Sequence, residues 1–432
     1  MSLMTFLFKD LKEKIQDKSC RICVMGAGYV GAELAFAFSH SGFKNVSAYE
    51  IDWQRILQIK HRFEKEEYAS GKFHISADPT LLKPANVIII TVPTPLSKSR
   101  LKPDMSYIDA AIKEIKKFDV KGKLIILEST TSPFTTLDRV LPKFSKGGKE
   151  VGQDFFMGYS PERIDPNNNE FTIFNTTKIV SGVTDYCREL SSFLYNAITK
   201  IHEVSNTQTA EMIKLYENTF RNVNIGLACE IAQYCRAQGI NVNEVIDGAS
   251  TKEFGFMKFS PGLIGGHCIP LDIHYLTHHA NSNGYKLHLS ETSVAVHNSM
   301  PLHIYEIIKE ALGGTVKGKK IMMVGTSYKP NVADYRESGA LDMYCLLKKK
   351  KAILSYHDPY VHEMDLGDKI LGSSPLSVIK DVDCVLILQR HDIFEETSLA
   401  EIYIDAKVIV DCVNAFPDSW CYENKLKKVY KL

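Results

Sequence analysis

The sequence lacks an excess of charge of either sign. Its 52 Lys and Arg residues nearly balance 51 Asp and Glu residues. This balance argues against a protein that binds nucleic acid through its phosphates. The chain also lacks any apolar run approaching the ~20 residues that cross a bilayer, and no secretory signal is visible. We therefore expect a cytoplasmic protein that has neither nucleic acid nor membrane as a partner.

Cysteine is too sparse for a disulfide scaffold, with ten residues in 432. Cys20 and Cys23 have CxxC spacing, but no second pair exists and Cys23 falls within the first predicted strand. Other cysteines fall inside apolar patterns, which is typical of a reducing compartment: Cys229, Cys345 and Cys384. No carboxylate or thiol obviously completes a metal site around the helically spaced His274, His278 and His279. We expect no bound metal.

Strand and helix patterns alternate over the first part of the chain. An apolar run at residues 21–25 ends at Gly26, a helical pattern continues to Gly42, and a strand follows at 46–49. Further strands are predicted at 87–92 and 123–127, with a helix over 109–117 between them. This alternation predicts an α/β fold with a doubly wound parallel sheet. We assign it to residues 1–205.

The pattern becomes purely helical from Thr207. One uninterrupted helical pattern runs to about Gln238, and more helix follows to about residue 250. We predict a helical domain over 206–312 whose long spine helix suits a subunit interface, and hence a homodimer. After Gly313-Gly314, a strand again runs into a glycine, Gly325. A second, smaller Rossmann-like doubly wound domain is therefore predicted over 315–432.

A dinucleotide fingerprint follows the first predicted strand, in the run Gly26-Ala27-Gly28-Tyr29-Val30-Gly31. Its glycines permit a tight turn, a close approach to a pyrophosphate and close helix–strand packing. Glu50 ends the second predicted strand, where a carboxylate binds both ribose hydroxyls and repels a 2′-phosphate. These features predict NAD rather than NADP. Asp52 is an alternative for this role, and Arg55, which we also place at the cofactor, weakens the preference.

Two further motifs follow the ends of predicted strands. They are Val92-Pro93-Thr94-Pro95 and Glu128-Ser129-Thr130. Ligands of open α/β sheets bind at the carboxyl ends of the strands. Ordinary loop chemistry would explain either motif alone, so each gives moderate support to a binding site there.

A cysteine with the surroundings of a nucleophile lies in Gly265-Gly266-His267-Cys268-Ile269-Pro270-Leu271-Asp272. The motif precedes a helix that we predict to open at Asp272, and a helix N-terminus stabilises a thiolate. A carbonyl carbon is the natural target of such a thiolate. Together with a nicotinamide, Cys268 indicates oxidation of an enzyme-bound carbonyl. A buried structural cysteine is the alternative.

Other polar residues are candidates for the same chemistry. Lys214 and Asn218 lie four positions apart on the spine helix, hence on one face, and could stabilise an oxyanion. A surface ion pair with Glu211 or Glu217 is the alternative for Lys214. Glu162, between the two prolines of the segment 159–166, could serve as the base for the water that hydrolyses a thioester.

Taken together, these motifs resemble those of the nucleotide-sugar 6-dehydrogenase family, which includes UDP-glucose and UDP-N-acetylhexosamine dehydrogenases. The likeness extends over nearly the whole chain and includes Gly325-Thr326-Ser327-Tyr328-Lys329 and Arg336-Glu337-Ser338. The resemblance implies an NAD-binding Rossmann domain, a helical dimerisation domain and a UDP-binding Rossmann-like domain. It also implies two successive oxidations of a sugar C6 alcohol to the carboxylate, with two NAD consumed.

The resemblance also implies residue roles. Cys268 would form a thiohemiacetal and then a thioester, with Lys214 and Asn218 as oxyanion stabilisers. Two residues would handle the water, Asp272 and Thr130, with Glu162 as acid/base. Cofactor contacts would include Thr94, Thr130 and Arg336 beside the fingerprint, Glu50 and Arg55. Substrate contacts would come from Glu162, Arg163, Lys214, Asn218, Phe259, Gly265 and Lys329.

The sugar is predicted from two segments. UDP-glucose enzymes usually have Ser-Pro-Glu-Phe-Leu-Arg-Glu where this chain has Ser160-Pro161-Glu162-Arg163-Ile164-Asp165-Pro166. Residues 251–257 are similar to a loop of UDP-N-acetylglucosamine 6-dehydrogenases. We therefore expect UDP-N-acetylglucosamine, with UDP-N-acetylmannosamine, UDP-N-acetylgalactosamine and UDP-glucose as alternatives. A non-catalytic NAD-binding regulator would have no need of Cys268, Lys214 and Asn218, and a dehydrogenase of the 6-phosphogluconate type would have no use for the thiol.

Overall fold

The computed structural model describes residues 3–65, 72–97, 102–164, 170–266, 268–394, 400–402, 405–416 and 429–432. The chain divides into two compact units. The first comprises Met1–Glu217 with His274–Tyr285, and the second comprises Asn218–Ile273 with Lys286–Leu432.

The first unit contains an eight-stranded sheet in the order β3-β2-β1-β4-β5-β6-β7-β8. Its strands are β1 Arg21–Met25, β2 Asn45–Tyr49, β3 Lys72–Ser76, β4 Val87–Ile90, β5 Leu124–Leu127, β6 Phe156–Tyr159, β7 Lys178–Gly182 and β8 Ile201–Glu203. The first six strands follow the 3-2-1-4-5-6 order of dinucleotide-binding folds. All neighbours pair in parallel except β6 and β7, an antiparallel pair that the strand–helix alternation did not predict.

Hydrophobic cores cover both faces of this sheet. Along β1, Ile22 and Val24 belong to one buried cluster, whereas Cys23 and Met25 belong to another. A strand buried on both faces is typical of a parallel sheet between two helix layers. The helices of this part are α1 Leu3–Gln16, α2 Tyr29–His40, α3 Trp53–Lys65, α4 Ser106–Ile115, α5 Leu141–Phe144 and α6 Asp185–Asn196, with short helical segments at Pro79–Leu82 and Thr135–Val140.

Four helices follow: α7 Thr207–Gln238, α8 Val242–Ser250, α9 Ile269–Ser282 and α10 His288–Ala311. The predicted spine helix is confirmed as α7, with 32 residues. The predicted opening of α9 at Asp272 is wrong by three residues, because the carbonyl of Cys268 already accepts the Asp272 N–H at 2.9 Å. Pro270 favours this earlier start, since proline suits the first turn of a helix.

The second unit contains a five-stranded parallel sheet in the order β10-β9-β13-β14-β15. The elements from this point are β9 Lys320–Val324, α11 Gly339–Lys349, β10 Ile353–His357, β11 Glu363–Asp365, β12 Ile370–Gly372, a 3₁₀ segment Leu376–Asp381, β13 Cys384–Ile387, β14 Ile409–Asp411 and β15 Val429–Lys431. Ser338 caps α11 by accepting the Ala340 N–H. The predicted α/β class, with two Rossmann-like sheets and a helical segment between them in the chain, is confirmed. Among the described helices, none combines the length and apolarity needed to cross a membrane.

Candidate active site

The fingerprint turn between β1 and α2 is fixed by close packing at two of its glycines. Gly26 has a φ of +90°, a conformation that favours glycine. A Cβ added to Gly31 would lie 1.9 Å from the Gly26 carbonyl oxygen, so this position admits no side chain. A Cβ added to Gly28 would meet no atom within 4 Å. The turn therefore leaves its backbone open at Gly28, which fits a cofactor pyrophosphate.

Glu50 is the carboxylate attached to this turn. Its Oε2 accepts the Ala27 N–H at 2.7 Å, and its Oε1 accepts the backbone N–H groups of Ile51 and Asp52 at 2.8 and 2.9 Å. Asp52, the alternative, instead caps α3 by accepting the N–H of Gln54 at 2.9 Å. The geometry therefore favours Glu50 over Asp52 as the residue that faces a ribose.

Arg55 lies against the same turn. Its Nε donates to the Ala27 carbonyl at 3.1 Å, and its guanidinium carbon is 5.0 Å from the centroid of the Tyr29 ring. The side chain thus packs on the first residue of α2, and its contact with the cofactor remains a prediction.

The segments that follow β4 and β5 are bonded to each other. The Ser129 hydroxyl donates to the Val92 carbonyl at 2.7 Å. The hydroxyl of Tyr275, on the part of α9 that belongs to the first unit, donates to the Thr94 carbonyl, also at 2.7 Å. Thr94 and Thr130 therefore lie in two adjoining loops at the carboxyl edge of the sheet, where a ligand is expected.

Glu162 is a buried carboxylate fixed at both oxygens. Its Oε1 accepts the backbone N–H groups of Arg163 and Ile164 at 2.7 and 2.6 Å, and its Oε2 accepts from Lys178 Nζ at 3.3 Å. Burial alone would raise the pKa of Glu162, but Lys178, the backbone donors and Lys214 outweigh it and hold that pKa below its ordinary value. Glu162 is therefore an anion at neutral pH, which suits a base.

Lys214 is buried, and the ion-pair alternative for it is wrong. Glu217 pairs instead with Arg163, whose Nη2 and Nε lie 2.6 and 3.3 Å from its oxygens. Glu211 accepts the backbone N–H and hydroxyl of Thr136 at 2.8 and 2.7 Å, and burial raises the pKa of Glu211 to about 7. Both glutamates therefore bond to residues other than Lys214, and neither accounts for the burial of the Lys214 side chain.

In the second unit, Cys268 is exposed immediately before the first residue of α9, so the buried-cysteine alternative is wrong. Asp272, in the first turn of that helix, is buried and accepts a hydrogen bond from the Asn218 side chain. The exposed Cys268 therefore lies at the N-terminus of α9. The first turn of that helix carries a carboxylate, Asp272, which is hydrogen-bonded to Asn218 of the spine helix. His267 lies outside the described residues, as do Asp165 and Pro166 of the segment 159–166.

Sequence analysis missed Asn222, one turn beyond Asn218. Its Nδ2 donates to the Ile269 carbonyl at 3.1 Å, and its Oδ1 accepts from Ser293 at 2.7 Å. It thereby ties the spine helix to the first residue of α9. The repeated four-residue spacing of Lys214, Asn218 and Asn222 was the signal that could have identified it.

The glycine loop before Cys268 packs on the turns that follow β9. The Gly266 N–H donates to the Glu337 carbonyl at 3.0 Å, and a Cβ added to Gly265 would lie 3.1 Å from the Tyr328 side chain. Lys329 is the next residue along the chain, so the second unit brings the loops of Cys268 and Lys329 together.

Arg336 and Phe259 are the remaining predicted site residues of the second unit. Arg336 forms a two-point ion pair with Asp334, at 2.8 and 3.0 Å, and its side chain is largely exposed. Phe259 contacts Phe220 of the spine helix, with ring centroids 5.9 Å apart. Their roles at cofactor and substrate remain predictions.

Three further side chains around Glu162 were not found from the sequence: Glu128, Lys178 and Tyr195, all buried. Glu128 appeared only as part of a loop motif. A lysine that opens the buried strand β7 was the available signal, since buried lysines are rare unless paired.

Comparison with known families identifies the chain. The NAD-binding domain of the UDP-glucose/GDP-mannose dehydrogenase family matches residues 20–199, the central domain of that family matches 208–299, and its UDP-binding domain matches 322–418. The chain belongs to this family. It is an oxidoreductase that uses NAD, as the fingerprint and Glu50 predicted.

Individual relatives agree with this assignment. The chain is 32% identical over 361 residues to UDP-N-acetyl-D-glucosamine 6-dehydrogenase of Pseudomonas aeruginosa, covering 81% of this chain and 85% of that protein. It is also 32% identical over 411 residues to UDP-N-acetyl-D-mannosamine dehydrogenase of Pyrococcus horikoshii, covering 90% and 94%. A solved structure of a UDP-D-ManNAc dehydrogenase from Pyrococcus horikoshii has a TM-score of 0.82 at 30% identity and covers 90% of this chain and 94% of that one.

Proposed function

We propose that this protein oxidises the C6 alcohol of UDP-N-acetylglucosamine to the carboxylate in two NAD-dependent steps, with Cys268 as the covalent nucleophile. The observation that carries the proposal is the exposed thiol of Cys268 at the first turn of α9, whose Asp272 is held by Asn218. A buried structural cysteine would not lie exposed at that place.

NAD, when bound, would accept one hydride, which carries both electrons of each oxidation, while the hydroxyl proton leaves to water. Between the oxidations, the Cys268 thiolate adds to the carbonyl carbon of the C6 aldehyde, and Lys214 and Asn218 stabilise the oxyanion. Loss of the second hydride from this thiohemiacetal leaves a thioester. Water that Glu162 deprotonates, with Asp272 and Thr130 beside it, then adds to the thioester, releases the carboxylate and restores the thiol.

Replacing the nucleophile tests this mechanism. In Cys268→Ser, we expect acid formation to fall on the order of a thousandfold or more, because a hydroxyl is a much weaker nucleophile than a thiolate. NAD affinity should stay unchanged. Cys345→Ser, at another exposed cysteine, is the matched control and should keep full activity. Near-normal turnover by Cys268→Ser would refute the covalent step.

A second experiment, which measures NADH production, identifies both the substrate and the stoichiometry. NADH production is measured with UDP-N-acetylglucosamine, its mannosamine and galactosamine epimers, and UDP-glucose. We expect UDP-N-acetylglucosamine to give the highest kcat/KM, and two NADH per sugar. UDP-N-acetylmannosamine is the second candidate, since relatives with either substrate in their names are equally identical to this chain. A stable ratio of one NADH with aldehyde released would indicate a simple alcohol dehydrogenase instead.

We also propose a homodimer formed through the spine helix. Large apolar side chains are exposed along one face of α7, at spacings of three, four and seven residues: Tyr216, Phe220, Leu227, Ile231 and Tyr234. Leu227 and Tyr234 are 54% and 61% exposed. Such a stripe is typical of a helix that pairs with a second helix.

The mass in solution, measured by light scattering, tests the dimer. We expect a dimer for the natural chain and a monomer for Leu227→Glu, because a buried unpaired charge opposes association. Ile370→Glu, at an exposed residue of β12, is the control and should remain dimeric. A natural chain that is monomeric at micromolar concentration would contradict the proposal.

Two coarser predictions also stand as proposals. We propose a division into domains 1–205, 206–312 and 315–432, and the three ranges that the family models match support it. We also propose a cytoplasmic location, because cysteines such as Cys229 and Cys384 lie in an apolar core, which suits a reducing compartment.

A further inference from the structure

A buried group of charged and polar side chains surrounds Lys178 in the first unit. Its Nζ donates to Glu128 Oε2 at 2.8 Å, and to Glu162 Oε2 and the Pro161 carbonyl at 3.3 Å each. These three acceptors match the three N–H donors of an ammonium. The Tyr195 hydroxyl donates to the other oxygen of Glu128, and the Tyr195 ring centroid lies 5.1 Å from Nζ. Every donor of Lys178 is therefore satisfied.

The two carboxylates of this group differ in position. The Glu128 side chain has no exposed surface, and both its oxygens accept from side chains of the group. The Glu162 side chain keeps 11% exposure and has a longer contact with Lys178. Glu128 therefore anchors Lys178 from the inside, and Glu162 forms the outer end of the chain of bonds.

A buried ion pair is a poor way to gain stability. Removing charges from water costs several kcal/mol per ion, and apolar side chains of similar volume often replace such pairs without loss. The Glu128–Lys178–Glu162 group places that cost beside one of the predicted catalytic residues. We therefore expect the group to serve the function of Glu162 and not the stability of the fold.

We propose that Lys178 is a positioning residue, which Glu128 and Tyr195 hold in place and which in turn holds the Glu162 carboxylate in one orientation as an anion. Lys178 fixes Oε2, and the backbone N–H groups of residues 163 and 164 fix Oε1. This inference rests on the proposed function, in which Glu162 is the base for thioester hydrolysis.

Lys178 and Lys214 are the cations that act on the Glu162 carboxylate. Glu128 and the phenol of Tyr195 also interact with it, and burial raises the pKa of Glu128 itself. Both cations lower the pKa of Glu162, and Lys178 is the larger influence of the two. Without the Lys178 ammonium, the pKa of Glu162 should rise. Because a base acts as the anion, the acidic limb of the pH profile of kcat should then move to higher pH.

The test is the pH profile of kcat in the double variant Lys178→Met/Glu128→Gln. This pair removes the cation together with its inner anchor, so that no buried charge is left alone except Glu162. We expect the acidic limb to move upward by about 1–3 pH units. Lys178→Arg retains the cation, so its limb should stay near that of the natural enzyme. Should the double variant not fold, Lys178→Gln/Glu128→Gln keeps hydrogen-bonding side chains at both positions, leaves Glu128 without a charge and is expected to give the same upward shift.

Lys123 offers a matched control in the same sheet. It is also a buried lysine, and its Nζ donates to three acceptors, but these are the neutral carbonyls of Leu82, Lys83 and Ala85. Lys123→Met should lower the melting temperature and leave the acidic limb in place. An equal limb shift in Lys123→Met would reduce the Lys178 effect to general destabilisation and overturn the inference.

Glu162→Gln separates this inference from the proposed function. If Glu162→Gln loses hydrolysis and the double variant keeps the natural limb, Lys178 does not position Glu162, and only the inference fails. If Glu162→Gln turns over normally, the role of Glu162 as base fails and the inference fails with it.

Discussion

The two Rossmann-like sheets place a carboxylate at the same point of their topology and use it differently. In each, the second strand of a strand–helix–strand unit ends on an acid that accepts N–H groups from the turn after the first strand. Glu50 accepts one such bond, from Ala27 at 2.7 Å. Asp358 accepts two, from Thr326 and Ser327 at 2.6 and 3.0 Å. Glu50 is partly exposed, whereas Asp358 is 1% exposed.

Other groups of the protein fill the remaining hydrogen-bonding capacity of the Asp358 carboxylate. Its Oδ1 accepts the N–H groups of Tyr360 and Val361 at 2.9 and 3.0 Å. His391, also buried, places its Nε2 3.2 Å from Oδ2, and its Nδ1 accepts the Asn331 N–H at 2.9 Å. Since Nδ1 accepts, the ring proton lies on Nε2 and is donated to the carboxylate. The acid of the first sheet thus stays partly exposed, where we predict a ribose contact, and the second sheet uses its acid to hold the loop that carries Lys329.

This difference predicts that Asp358 matters for folding. In Asp358→Asn, one carboxylate oxygen becomes an NH₂ group that faces backbone N–H donors. We expect the free energy of unfolding to fall by about 2–4 kcal/mol, measured by denaturant titration. Asp383→Asn is the control in the same domain, because Asp383 accepts the Lys320 N–H at 2.9 Å but is less buried. If the free energy of unfolding falls equally in the two variants, burial and the His391 contact add nothing to the stabilisation by Asp358.

The acid stability of the protein sharpens the same point. Burial raises the pKa of Asp358, but His391 and the backbone donors outweigh it and lower that pKa from 3.8 to about 2. A pKa lowered by folding stabilises the protein above the unfolded value, and the contribution is lost as pH falls from about 4 to about 2. The loss should be about 2 kcal/mol. Asp358→Asn should lack it, and an unchanged acid transition in that variant would contradict the assignment.

Local patterns predicted four of the eight strands of the first sheet, β1, β2, β4 and β5, and the first strand of the second sheet, because most residues of each such strand are apolar. Strand β1 and the spine helix have the predicted limits, and the strand-to-glycine turns fall where expected. The start of α9 was wrong because Pro270 was not recognised as a first-turn residue. The antiparallel β6–β7 pair could not be predicted, since it depends on how the chain returns to the sheet edge.

The candidate site was predictable only where its residues lie in one motif. The fingerprint, Cys268 and the pair of Lys214 and Asn218 each have a local spacing that suggests chemistry. The bonds of Glu128 to Lys178 and Tyr195 join positions 50 and 67 residues apart, so no local pattern contains them. Only the tertiary fold determines these partners, because it brings β5, β7 and α6 together.

The smallest expected effect concerns the carboxylate that remains open to a ligand. Glu50→Gln keeps an acceptor for the Ala27 N–H but removes the charge that we predict to bind ribose hydroxyls and repel a 2′-phosphate. We expect NAD affinity to fall about tenfold, or about 1.4 kcal/mol, and the preference for NAD over NADP to shrink. Fluorescence titration with both dinucleotides measures the two constants, and the free energy of unfolding should change by less than about 1 kcal/mol.

Asp52→Asn is the control that decides between the two acids. Asp52 caps α3, and asparagine caps helices about as well as aspartate, so neither stability nor the choice of dinucleotide should change much. If Asp52→Asn instead weakens NAD binding as much as Glu50→Gln does, the ribose contact belongs to Asp52. Glu50 would then resemble Asp358 as an acid that serves its own turn, and the contrast between the two sheets would disappear.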